Sequence, residues 1–146
     1  MLNLQAVETA LVTALKARDQ IAADTLRALK TRIQNEQITK GGPLPESDLL
    51  SLVQSEVKRR KEAAIAFRDA GRTESADKEE SEIDVLIPFL PAQVGEDEIN
   101  AVIDEKIAVS NWTVKDFGSA MGALKQHFGN TADGGTISKL LKEKLK

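Results

Sequence analysis

Apolar residues recur every three or four positions in each segment of this chain that is long enough to classify. That spacing is the period of an amphipathic helix and differs from the alternation of a strand. The first two stripes are Leu4, Val7, Leu11 and Leu15, then Leu26, Leu29 and Ile33. Aromatic residues make up only 3% of the 146 residues, so the pattern predicts an all-α fold with an aliphatic core.

Helices two to four of the predicted fold are delimited by capping and breaking residues. The second helix starts at Asp19 or Asp24, and glycine and proline residues at 41–45 form a loop after it. The third and longest helix starts near Pro45 and ends at Gly71. Thr73 is expected to cap the fourth, whose buried stripe is Ile83, Leu86 and Ile87.

The segment Pro88-Phe89-Leu90-Pro91 separates two blocks of helices. Two prolines three positions apart predict a stiff, non-helical connector. We therefore expect an N-terminal bundle of about four helices at residues 1–91, followed by a small three-helix tail domain at residues 92–146.

The tail begins with a helix at Gly95-Glu96-Asp97-Glu98. Thr113 is a suitable N-cap for the next helix, with Asp116 completing a capping box, and Trp112 is spaced to form a hydrophobic staple with Phe117. That helix ends at Gly129. The last helix buries Ile137, Leu140, Leu141 and Leu145.

Composition narrows the class of protein. The chain has 20 Lys and Arg against 23 Asp and Glu, a formal net charge of −3, and no cysteine. Disulfides and thiolate chemistry are excluded, and no segment has the length of apolar sequence that a membrane span needs. We expect a cytoplasmic protein without membrane association, in which any nucleic-acid contact is a local patch.

Two segments are candidates for anion binding. The run Lys58-Arg59-Arg60-Lys61 is basic, but four consecutive residues spread around a helix, and the following helix is acidic. Ion pairing between these two helices is favoured over a nucleic-acid site. The turn at 129–136 is glycine-rich and precedes a helix, so its backbone N–H groups could hold one phosphate or carboxylate; the alternative is a plain turn. Gly135 stands where a P-loop needs lysine.

No residue pattern indicates catalysis, a metal site or a cofactor. His127 is the one histidine, and it is expected to be a surface or partly packed residue. No nucleophile elbow, His–Asp pair or zinc-binding helix motif is present. From the residues alone we predict no catalytic residue, no metal ligand and no cofactor.

Several short motifs in order resemble the YqeY family, also called GatB/YqeY-domain proteins. The longest runs from Glu56 through Lys58-Arg59-Arg60-Lys61 to Ala64, and Ala70-Gly71-Arg72 follows it. The others are Leu26-Arg27-Ala28-Leu29-Lys30, Glu79 to Ile83, Phe89-Leu90-Pro91, Asp116-Phe117-Gly118, Met121-Gly122 and Ala132-Asp133-Gly134. Together they cover essentially the whole chain.

The resemblance implies a helical bundle joined to a tail similar to the C-terminal tail of the B subunit of tRNA-dependent amidotransferases. It implies a non-catalytic protein that binds tRNA or another structured RNA through the tail. The family name also implies carbon–nitrogen ligase activity with glutamine as amide donor, although no catalytic core is visible. An accessory role beside amidotransferase components and a protein-interaction module are the alternatives.

The RNA-binding residues expected from this resemblance lie around the turn before the last helix. The family carries a basic residue after its glycine there, where this chain has Asn130 and Thr131, so one phosphate contact fewer is expected. The expected set is Lys125, Gly129, Asn130, Thr131, Gly134, Gly135, Thr136, Lys139 and Lys142.

Overall fold

The computed structural model describes residues 1–145 and contains seven α-helices, with no strand in that range. The all-α prediction is confirmed. The helices are α1 (Leu4–Lys16), α2 (Gln20–Lys40), α3 (Glu46–Asp69), α4 (Thr73–Leu86), α5 (Glu96–Ser110), α6 (Phe117–Phe128) and α7 (Gly134–Lys144).

The helices form two compact units. The first, Met1–Leu90, contains α1 to α4, and the second begins at Pro91 and contains α5 to α7. The assignment of residues 1–91 and 92–146 as separate domains stays a prediction. Within the described residues, no helix combines the length and the hydropathy that a membrane crossing requires.

The α1–α2 hairpin is fixed by side-chain caps and by a tight C-terminal turn. Asn3 caps α1 and Asp19 caps α2, each accepting a hydrogen bond from the backbone N–H three residues on. Between the helices, Arg18 takes a left-handed conformation with φ of 55°. Its N–H donates to the Leu15 carbonyl and that of Asp19 donates to Ala14, so Arg18 occupies the position usually held by glycine in a Schellman motif.

Replacing Arg18 with glycine should therefore stabilise the protein. The side chain is exposed, and a left-handed conformation is unfavourable for any residue with a Cβ. We expect Arg18→Gly to raise the free energy of unfolding by about 0.5 to 1 kcal/mol, after the extra chain entropy of glycine is subtracted. Urea denaturation measures this, and Arg18→Ala, which keeps the Cβ, should show no such gain.

The core of the first unit comes from all four helices. Val7 of α1, Ile33 of α2, Val53 of α3 and Leu86 of α4 are each essentially inaccessible to solvent. The prediction that Leu15 belongs to this core is wrong, because it is 46% exposed. The buried face of α1 runs through Val7 and Ala14, seven residues apart, and Leu15 lies one residue further on, roughly 100° around the helix.

The α3–α4 turn confirms one predicted end and corrects a predicted start. Gly71 has φ of 75°, its N–H donates to Arg68, and that of Arg72 donates to Phe67, which completes a second Schellman motif. Thr73 was expected to cap α4, but it is the first residue of that helix. Arg72 occupies the cap position without a side-chain hydrogen bond, because α4 begins directly after the Schellman turn.

Ion pairs between α3 and α4 confirm the predicted pairing of the basic and acidic helices. Arg60 contacts Glu82 and lies 3.5 Å from Glu79, while Arg68 lies 2.9 Å from Asp77 and 2.7 Å from Glu80. Hydrogen bonds to Glu80 and then to Asp77 raise the pKa of Arg68 above its ordinary value. Arg60 is the more enclosed of the two arginines, so its pairs are weakly screened.

Removing the guanidinium of Arg60 should destabilise the first unit strongly. Glu82 is buried and would lose its counter-charge in a site of low dielectric. We expect Arg60→Ala to lower the free energy of unfolding by about 3 to 5 kcal/mol in chemical denaturation. The neighbouring exposed residue supplies the control, since Lys61→Ala should change stability by less than about 0.5 kcal/mol. Equal effects of the two substitutions would contradict a structural role for the Arg60 pairs.

The proline segment is more ordered than predicted. Ile87–Phe89 forms a 3₁₀ turn directly after α4, and the chain becomes extended only at Leu90. The expected non-helical connector is therefore wrong for Pro88 and Phe89, because proline is tolerated in the first turn of a helix. The same turn takes Ile87 off the buried stripe of α4, and its side chain is exposed.

The second unit has a separate core made by α5, α6 and α7. Its fully buried side chains include Ile103 of α5, Leu124 of α6 and Leu141 of α7. Trp112 and Phe117 are half-buried and pack against this cluster. The predicted stripe of the last helix is confirmed for Ile137, Leu140, Leu141 and Leu145.

Candidate nucleic-acid interface

The segment predicted to contact RNA is the hairpin of α6, the following turn and α7. Its start is fixed by the predicted capping box. The Thr113 N–H donates to the Asp116 carboxylate at 2.8 Å, and the Asp116 N–H donates to the Thr113 side chain in return. The first turn, Val114–Asp116, is 3₁₀, and the α-helix begins only at Phe117. The box thus fixes where the hairpin begins.

Backbone carbonyls hold the turn after α6 in place by accepting hydrogen bonds from residues at the start of the second unit. Gly129 ends the helix with φ of 55°, as predicted for a glycine stop. The carbonyl of Asn130 accepts from the Gln93 side chain at 2.9 Å, and that of Thr131 accepts from the Val94 N–H at 2.9 Å. These bonds give the backbone of Asn130 and Thr131 a structural role, while their contact with RNA stays a prediction.

The N-terminus of α7 is already capped by an acidic side chain. Asp133 accepts from the Thr136 N–H at 3.1 Å, and its own carbonyl accepts from the Ile137 N–H. The expectation that this turn offers free N–H groups to an anion is therefore wrong at Thr136. The carboxylate of Asp133 supplies the negative charge that the helix dipole favours, so an external phosphate gains less here.

The structure brings Lys125 to the start of α7. A Cβ placed on Gly134 would lie 3.4 Å from Lys125 Cε, so the lysine side chain crosses the glycine where two helices meet. Lys142, further along α7, has its ammonium 5.7 Å from the centroid of the Phe117 ring. The two predicted lysines therefore lie towards opposite ends of one hairpin, and Lys139 is exposed three residues before Lys142.

Charge in the second unit is divided between its helices. The α5 helix carries five acidic residues and one basic residue: Glu96, Asp97, Glu98, Asp104, Glu105 and Lys106. From Phe117 to Lys144 the charged residues are Lys125, Lys139, Lys142 and Lys144, with Asp133 and Glu143 as the acids. Asp133 is engaged as a helix cap and Lys144 pairs with Asp104 of α5. The α6–α7 hairpin therefore has an excess of positive charge in a unit that is otherwise acidic.

Two glycines on α6 were not in the predicted site. Gly118 and Gly122 are exposed, and a Cβ on either would meet no other atom within 4 Å. Neither has a positive φ, so neither is required by the backbone. Glycine inside a helix lowers its stability by about 1 kcal/mol relative to alanine. In the sequence, the four-residue spacing of these two glycines was the signal for this open strip.

Alanine at Gly122 should stabilise α6. The added methyl group has free space and lowers the entropy of the unfolded chain. We expect Gly122→Ala to raise the free energy of unfolding by about 1 kcal/mol in urea denaturation. A loss of stability would instead show that a Cβ at this position meets part of the chain.

His127 is exposed and makes an edge-to-face contact with Phe128, with the ring centroids 4.9 Å apart. This matches the prediction of a surface residue. Within residues 1–145, no group of three or more histidine or acidic side chains is placed to hold a metal ion.

Comparisons with known proteins identify the family. The sequence profile described as "Yqey-like protein" matches residues 4–145. The chain belongs to the YqeY-like family. Two fungal proteins are similar to it. An uncharacterized protein of Schizosaccharomyces pombe is 36% identical over 90 residues, which are 61% of this chain and 73% of the fungal protein. "Altered inheritance of mitochondria protein 41, mitochondrial" of Pyrenophora tritici-repentis is 27% identical over 144 residues, which are 96% of this chain and 79% of that protein.

Proposed function

We propose that the α6–α7 hairpin binds the phosphate backbone of a structured RNA such as tRNA. The observation that carries this proposal is the uneven division of charge: lysines outnumber acids four to two from Phe117 to Lys144, whereas α5 has five acids and one lysine. A polyanion approaching this unit is attracted to the hairpin and repelled by α5. This excess of lysines supports a local patch of the kind that an acidic protein needs for nucleic-acid binding.

The lysines are spaced to contact more than one phosphate. Lys125 lies at Gly134, and Lys142 is eight residues further along α7, a rise of roughly 12 Å. Lys139 lies between these ends on the exposed side of the helix. None of the three has an acidic partner within 4 Å among residues 1–145, so their ammonium groups are available to phosphate.

The glycines of α6 would let an RNA strand lie close to the helix backbone. Gly118 and Gly122 leave an open strip on the exposed face. Glycine is the residue used where a backbone must approach a ligand closely. Close approach of an RNA strand would explain why glycines that lower helix stability stand at these positions.

The other residues expected in the site complete the proposed contact. Gly134 and Gly135 begin α7 beside Lys125, and the Thr136 hydroxyl lies 3.4 Å from the Asp133 carboxylate. Gly129, Asn130 and Thr131 form the edge of the turn. We propose that these residues position the RNA through shape and hydrogen bonding while the lysines supply the charge.

The first test is the salt dependence of tRNA binding. Replacing Lys125, Lys139 and Lys142 together with alanine removes three phosphate contacts. The slope of log affinity against log salt should fall by about two to three units, and the affinity should drop at low salt. Fluorescence anisotropy of labelled tRNA, titrated with the full chain at several salt concentrations, measures both quantities.

Lys106→Ala on α5 is the control, because it removes one lysine charge from the acidic helix and none from the hairpin. It should leave the salt slope unchanged. Absence of saturable tRNA binding at low salt would overturn the proposal, as would equal losses in the control and the triple variant. Gly122→Ala should weaken binding while it raises stability, which separates close approach from misfolding.

A further inference from the structure

A groove in the first unit is lined mainly by arginines. It lies between α2 and α3, has a volume of about 510 Å³, and takes Arg27 and Arg32 from α2 with Arg59 and Arg60 from α3. Glu56 is the one acidic residue among those that line it. The groove is open at the surface and is not an enclosed cavity, so a small ligand bound there would stay partly exposed to solvent.

Two of the groove arginines are well exposed, while the one carboxylate that lines the groove is covered. The side chains of Arg59 and Arg27 are 69% and 53% exposed, whereas that of Glu56 is 12% exposed. Asp24 lies 3.6 Å from Arg27 on the rim. A molecule entering the groove therefore meets the guanidinium groups of Arg27 and Arg59 before it meets Glu56, and Asp24 is the one exposed carboxylate paired with these two arginines.

Glu56 gathers the arginines at this place. Its Oε1 atom accepts from Arg32 and from Arg59, the latter at 3.3 Å, and its Oε2 atom lies 3.7 Å from Arg60. Arg32 also donates to the Ser55 hydroxyl at 3.1 Å. Each guanidinium has five N–H donors, so one carboxylate shared by three arginines leaves donors unused.

Among the four groove arginines, Arg60 is the one that pairs with carboxylates of α4. Glu79 and Glu82 hold that side chain from outside the groove lining, and it is the least exposed of the four arginines. Arg60 and Glu56 are thus positioning residues. Arg27, Arg32 and Arg59 are the residues available to a ligand.

We infer that this groove binds a small phosphate-bearing ligand. Planar guanidinium groups match the oxygen geometry of phosphate and bind it through paired hydrogen bonds. Thr31 and Asn35, which also line the groove, add neutral hydrogen-bonding groups. The inference goes beyond the proposed RNA contact, because it concerns the other unit and a ligand of metabolite size.

The direct test is calorimetric titration of the full chain with three probes. Pyrophosphate supplies the anion alone, ADP supplies the same anion on a nucleoside, and adenosine supplies no charge. Saturable binding of pyrophosphate and ADP, with a Kd below about 1 mM, and none of adenosine is the expected result. Tighter binding of ADP would identify a nucleotide as the source of the phosphate, and equal binding would identify the phosphate group itself.

Neighbouring residues of the same basic run provide a matched control. Arg27→Ala with Arg59→Ala removes two exposed groove residues and should weaken pyrophosphate binding by about 10-fold or more. Lys58→Ala with Lys61→Ala removes two exposed charges that do not line the groove and should change it by less than about 2-fold. Arg59→Lys keeps the charge but loses the paired donors, so several-fold weaker binding is expected.

Three results would overturn the inference. They are no saturable binding of either phosphate probe, equal weakening of pyrophosphate binding by the lysine and arginine double variants, and an arginine double variant that changes tRNA affinity alone. The variant lacking Lys125, Lys139 and Lys142 should bind pyrophosphate normally. Failure of the RNA proposal and failure of this inference are therefore distinguishable.

Discussion

Arg60 lies where α3 faces α4 and is surrounded by three carboxylates, those of Glu56, Glu79 and Glu82. Burying so many charges is unfavourable unless they compensate one another, so the register of the two helices is tied to this contact. Val53 and Leu86, which these helices bury in the common core, depend on the same register. The hydrophobic core supplies the driving force for folding, and the ion pairs select the alignment in which it forms.

The two units use their charge differently. In the first unit, arginines on α3 face carboxylates on α4, so many of the charged side chains form ion pairs within the unit. In the second unit, acidic residues predominate on α5 and lysines predominate on α6 and α7, and Lys125, Lys139 and Lys142 are exposed. A net charge of −3 for the whole chain hides both arrangements. Local charge is therefore the quantity that bears on binding.

Two glycines make α6 less stable than the same helix with alanine at those positions would be. Gly118 and Gly122 have ordinary helical backbones and free space around them, so alanine would fit at both positions. Residues that lower stability without a structural reason are expected at functional surfaces. Arg18 is a second departure from ideal sequence, but it lies in the α1–α2 turn and is not among the residues of either proposed site.

Local patterns in the sequence determined most of the elements and several of their ends. Gly71, Gly129 and the Thr113–Asp116 capping box act through residues within one or two turns, and each was predictable. Leu15 and Ile87 were assigned to the core wrongly, because exposure depends on which neighbouring helix covers a face. The Yqey-like family could likewise be read from short motifs in order.

Tertiary structure alone decided which charged groups meet. The groove of Arg27, Arg32 and Arg59 exists because α2 packs beside α3, and these residues are up to 32 positions apart in the chain. The contact of Lys125 with Gly134 likewise depends on how the α6–α7 turn closes. Helical period is a local property set by backbone geometry, whereas ion pairing and charge exposure depend on distances in space that no local pattern encodes.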